Sequence, residues 1–112
     1  MREYEKLMEK IHILEYHQKL LLKLVENPKL PFYKLIIEKG LTEADVESFF
    51  RLCGDLCEEL GKQKAEGFVY FHPLFNKLSA FLPANINMKE TVEACLGQKL
   101  YEPLFKEFEK YI

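Results

Sequence analysis

Apolar residues between positions 2 and 26 fall on two faces of a helix rather than one. Tyr4, Leu7, Ile11, Leu14, Leu21 and Val25 occupy the two core positions of a heptad, and Gln18 is the one polar interruption. Ile13, Tyr16, Leu20 and Leu24 form a second apolar set on a different face. Glu5, Glu9, His12, Lys19, Lys23 and Glu26 are confined to the stripe between them. The stretch has no Gly or Pro and is rich in strong helix formers, so the spacing predicts one helix over 2–26, ended by Asn27-Pro28. A surface helix needs one apolar face. Two faces predict two packing partners: the rest of the subunit, and another copy of the same helix.

The remaining chain reads as shorter helices. Pro31 suits a first helical turn, and Gly40 suits a left-handed cap after Lys39. Phe32, Leu35 and Ile36, with Tyr33, supply the buried face of that helix. Thr42 with Asp45 approximates a capping box. Val46, Phe49, Phe50, Cys53, Leu56, Cys57 and Leu60 then keep helical spacing to Gly61. Gln63 to Gly67 is a polar stretch, and Gly67 marks a backbone turn. Phe68-Val69-Tyr70-Phe71 has strand character but no second strand to pair with, so it is expected to be an extended lead-in whose aromatics plug the core. Helices are expected from Pro73 to Leu82, from Asn87 to about Leu96, and from Leu100 to Tyr111, with a turn at Gly97-Gln98. Leu74, Phe75, Leu78 and Phe81 are expected inside, as are Leu104, Phe105, Phe108 and Ile112. The fold class is all-α: a small multihelical domain with a long N-terminal helix and about five shorter ones, in an oligomeric helical bundle.

Composition narrows the function classes. A chain of 112 residues with 48% hydrophobic and 30% charged residues is ordinary for one globular domain. A formal net charge of -2 lacks the basic surplus of a phosphate-binding surface, so no nucleic-acid partner is expected. No apolar run approaches the roughly 20 residues of a membrane span. The opening Met1-Arg2-Glu3-Tyr4-Glu5 is unlike a secretory signal, and an odd, low cysteine count (Cys53, Cys57, Cys95) fits free thiols in a reducing compartment. A cytoplasmic location is expected.

No cluster has the pattern of a catalytic, cofactor or metal site. Cys53 and Cys57 share a helix face at i, i+4, but a structural zinc needs four ligands, and both lie on an apolar face where free cysteine packs as a small hydrophobe. Glu9-Lys10-Ile11-His12 has the Glu-x-x-His spacing of di-iron bundles, which require a second copy and two further glutamates. His17 and His72 stand at no recognisable spacing from a nucleophile, and the glycines stand singly. Glu43, Asp45, Glu47, Asp55, Glu58 and Glu59 make the third helix acidic; a solvated face is the expected reading, and docking of a basic partner the less favoured one. Gln18 is different. A polar residue at a heptad core position can fix register and copy number, and a trimer is slightly favoured over a dimer because a three-fold axis has more room for a glutamine ring.

Pro31-Phe32-Tyr33, then Leu35-Ile36-Ile37 to Lys39-Gly40-Leu41, resembles the YhaI-like family of small uncharacterised proteins from Bacillus relatives. So do Glu58-Glu59-Leu60, Gln63-Lys64-Ala65, Gly67-Phe68-Val69 and Phe71. The resemblance covers nearly the whole chain. It implies a multihelical fold and oligomers, and it implies no activity and no catalytic residues.

The function expected from these readings is that of a non-enzymatic, self-associating helical protein that binds another protein in a regulatory role. The self-association seam is Tyr4, Leu7, Ile11, Leu14, Gln18, Leu21 and Val25. The rival expectation is a binder of small molecules or peptides, with an aromatic-lined pocket among the shorter helices. The Gln63–Gly67 loop is a weaker candidate surface.

Overall fold

The computed structural model describes residues 2–112. Among them the chain forms six helices: α1 (Arg2–Glu26), α2 (Pro31–Lys39), α3 (Glu43–Ala65), α4 (His72–Phe81), α5 (Met88–Gly97) and α6 (Glu102–Glu109). The fold is all-helical with a long N-terminal helix, as the apolar spacing requires.

Local chemistry sets most of the boundaries. Pro31 stands in the first turn of α2, and Gly40 ends that helix at φ +67°, so that the Gly40 and Leu41 amides return to carbonyls of the last turn. Thr42 and Asp45 form a reciprocal capping box at α3, each backbone N–H donating to the other's side chain at 3.0 Å. Asn87 and Glu90 do the same at α5, at 2.8 and 2.9 Å.

Four sequence expectations need correction. First, α3 continues past Gly61 to Ala65, so Gln63 is helical and donates to Glu59 at 3.0 Å. Lys62 and Lys64 in its last turn favour the negative end of the helix dipole, and the polar stretch shrinks to Glu66 and Gly67, the latter at φ +92°. Second, Phe68, Val69 and Tyr70 do not plug the core. They are exposed, and only Phe71 enters it, its amide donating to the Tyr111 hydroxyl at 3.0 Å. Tyr70 instead lies on the surface, stacked on His72. Third, α6 is shorter than Leu100–Tyr111 because Lys99 and Tyr101 are left-handed (φ +60° and +48°), a conformation that no helix of L-residues continues. Fourth, Phe81 and Ile112 stay substantially exposed: each ends its segment, beyond the reach of the core.

The core is a chain of aromatic rings threaded by aliphatics. Phe32 stacks on Phe49 (centroids 5.4 Å apart), Phe49 on Phe105 (6.4 Å), and Phe105 meets Phe108 edge-on (6.0 Å). Phe105, Phe108, Ile36, Leu74, Leu78 and Leu104 are fully buried around them. Such edge-to-face and offset pairs add to the area term of burial. Helix α3 packs on α4 and α6, α6 on α5, α5 on α2, and α2 on α1.

This order leaves α1 at one edge. The protein measures 53 × 34 × 20 Å, a slab about two helix diameters thick. Its radius of gyration is 15.9 Å, against about 13 Å for a compact domain of this length. Helix α1, about 37 Å long, stays mostly exposed. Leu20 is its only buried residue.

The joint between α2 and α5 is unusually close. A side-chain carbon at Gly97 would stand 2.8 Å from Pro31 Cγ, so glycine is what lets the two helices meet there. The next residue completes the joint. Gln98 Oε1 accepts from the backbone N–H groups of Phe32 (3.0 Å) and Tyr33 (3.2 Å). Helix α2 has no side-chain cap of its own. Gln98 therefore caps it from across the fold.

Candidate association face and apolar cavity

Two faces of α1 meet different surroundings. On the inner face Leu20 is buried, and Ile13, Tyr16, His17 and Leu24 are half-buried against the body. His17 Nε2 donates to the carbonyl of Leu41 at 2.7 Å, fastening α1 to the α2–α3 connection. Lys23 places its ammonium 5.4 Å from the centre of the Tyr33 ring, a cation–π contact. Tyr16 is pushed up to about 12 by burial first, then by the nearby Glu43, Tyr33 and Glu47. The hydroxyl therefore stays protonated at neutral pH.

The outer face of α1 is exposed. Val25 is 82% exposed, Leu14 66%, Tyr4 64% and Leu7 58%, with Ile11 and Leu21 close to half. Gln18 is exposed in the same row. Leu22, 61% exposed beside Gln18 and Val25, widens the stripe, and heptad core positions alone do not reveal it. Together these side chains leave on the order of 700 Å² of apolar surface, near the ~800 Å² each partner contributes to a standard interface and above the ~300–600 Å² of the largest patch on a typical monomer. Glu9 and His12 lie in the exposed stripe between the faces, and His12 Nδ1 stands 3.9 Å from Glu15.

A second feature lies among the shorter helices. A cavity of about 320 Å³ opens between α2, the first half of α3, the end of α4 and the α4–α5 connection. Its walls are largely apolar, with Phe32, Val46, Phe49, Phe81 and Ile86 prominent. The half-exposed Phe81, misplaced inward by the sequence reading, stands in this wall.

The other candidates resolve into packing. Cys53 and Cys95 are fully buried, Cys57 half-buried, and all three are free thiols. Burial pushes Cys95 up to about 12 and raises Cys53 and Cys57 as well, with the neighbouring thiols adding to the shift at Cys53. Among the described residues no three His, Cys, Asp or Glu side chains gather as a metal-holding group. Glu107 is a buried carboxylate that the sequence reading missed. Lys110 (3.2 Å) and Lys64 (3.8 Å) pair with it, as a buried charge requires. His72 belongs to an aromatic cluster with Tyr70, Phe75 and Tyr111. No described helix is long and apolar enough to cross a membrane.

Fold and surface thus define a small all-helical protein with one helix apolar on its outer face. The chain belongs to the family described as "Protein of unknown function (DUF1878)", whose family model matches residues 4–112.

Proposed function

We propose that this chain is a non-enzymatic, cytoplasmic helical protein that self-associates through the outer face of α1 and, once assembled, binds another protein in a regulatory role. The observation that carries the reading is the apolar row Tyr4, Leu7, Ile11, Leu14, Leu21 and Val25, left in water by its own subunit. Exposing that much apolar surface is costly, and a second copy of the same row is a self-complementary cover for it. Gln18 lies in the row, where glutamines from neighbouring copies can bond one another, and a trimer is preferred over a dimer on the same ground as in the sequence. The resemblance to the YhaI-like family agrees with an oligomer.

Light scattering tests this directly. The native protein should have a mass that is a multiple of 13.3 kDa, and Leu14→Glu should reduce it to one chain with unchanged helical circular dichroism. A native mass of one chain at tens of micromolar overturns the reading. Gln18→Leu should change the copy number; an unchanged mass removes Gln18 as its determinant.

The cavity favours a second reading, a binder of small molecules. At about 320 Å³ it lies at the lower end of ligand pockets.

A further inference from the structure

The cavity has a chemical bias beyond its apolar walls. Three polar side chains line it: Asp45 and Ser48 from α3, and Thr91 from α5. Asp45 and Ser48 are three apart and so share a helix face. Asp45 uses one carboxylate oxygen to accept the Thr42 N–H at 3.0 Å, which leaves acceptor capacity on a full negative charge. Thr91 is buried to within 1% and donates its only hydroxyl proton to the Asn87 carbonyl at 2.8 Å. That burial leaves its oxygen out of an occupant's reach. No Lys, Arg or His lines the cavity. Asp45, which is exposed, and Ser48, half-buried, thus offer oxygens carrying one net negative charge beside a wall of aromatic and aliphatic carbon. Phe81 at the wall is 43% exposed and would be covered by an occupant.

Resting on the second reading above, we infer that the cavity between α2, α3, α4 and α5 is a site for a small amphiphile with an aromatic or short alkyl body and a cationic ammonium head. The body lies against Phe81, Leu82 and Pro83, the accessible part of the wall. The head meets Asp45, with Ser48 as a further acceptor. A carboxylate head on the same body is rejected, because it would face Asp45 with no cation to neutralise either charge.

Three probes with one body separate the claims: phenylbutylamine, phenylbutanol and phenylbutanoate, titrated into the native protein at pH 7 with amide chemical shifts as the readout. The amine should bind, shifting amides of α3, α5 and the α4–α5 connection, and the acid should bind about tenfold more weakly or not at all. Asp45→Asn, which retains an oxygen for the Thr42 cap, should bring the amine down to the level of the alcohol. Ser48→Phe, which fills the space, should abolish binding of all three with helicity retained. Equal affinities for amine and acid, or an Asp45→Asn variant with unchanged preference, overturn the cationic assignment and leave the cavity as a site. Binding by none of the three at millimolar concentration overturns the site itself. Binding to the Leu14→Glu variant but not to the native assembly shows that a second copy covers the cavity, and also overturns it.

Discussion

Helix α1 and the body formed by α2 to α6 draw on similar amino acids and spend them differently. The body turns its large apolar residues inward: Phe105, Phe108, Leu74 and Leu78 have essentially no exposed surface. In α1 one row is half-buried and an equally apolar row stays in water. The body can bury its faces because its helices pack on one another, α3 on α4 and α6, α6 on α5, and α5 on α2. A straight helix of about 37 Å at the edge of a slab cannot. The difference teaches that stability rests with the body, separable from the self-association proposed for the outer row of α1. Substitutions in the body should be read by unfolding, and substitutions on the outer row of α1 by mass.

The sharpest way to break that separation is Phe105→Ala. Phe105 contacts both Phe49 and Phe108, and its loss should cost about 3–5 kcal/mol in denaturant unfolding. If Leu14→Glu, placed on α1, cost the isolated subunit as much, the division between body and edge would be wrong. The buried thiols come next. A thiol whose folded pKa is raised holds its proton more tightly in the folded state, so its stabilising effect is complete below pH 9.0, its unfolded value, and is lost as pH rises toward the folded value, about 12 for Cys95. Stability of the native protein should therefore fall above pH 9 by about 1 kcal/mol per pH unit for each buried thiol, and a variant with Cys53→Ala and Cys95→Ala should show a flatter alkaline limb. Denaturant midpoints between pH 8 and 10.5 would show the difference or its absence.

Smaller effects probe the joints. Gln98→Ala leaves the Phe32 and Tyr33 amides of α2 without their acceptor and should cost about 1–2 kcal/mol, with hydrogen exchange fastest at those two amides. His17→Ala removes the contact to Leu41 and should cost about 1 kcal/mol or less. Its signature is local: exchange should rise along α1 while the α3–α6 amides keep their protection. A global loss of protection would show that α1 is integral to the body after all.

What the sequence made legible follows the range of the interactions. The Thr42–Asp45 capping box, the left-handed Gly40 and Pro31 in the first turn of α2 act within a few residues, and each is found where the spacing put it. The two faces of α1 were readable because a helix repeats its pattern over many turns. Gln98 and His17 were not readable, because each meets a partner far away in sequence whose position only the assembled fold defines. The exposed Phe68, Val69 and Tyr70 were misread because apolar character alone says nothing about which side of a short extended segment finds the core. Likewise the cavity arises from the mismatch of several helices, and its lining comes from positions that look, one by one, like core or surface.

The remote cap on α2 bears on how the chain reaches its final form. Synthesis runs from the N-terminus, so Pro31 to Lys39 leave the ribosome well before Gln98 exists. Until then α2 has no side-chain acceptor for its first amides and no α5 to lie against. A nine-residue helix is marginal alone in water. The first turn of α2 is therefore capped late, by one amide oxygen contributed by Gln98, and a truncation before residue 98 leaves α2 waiting for a cap that never arrives.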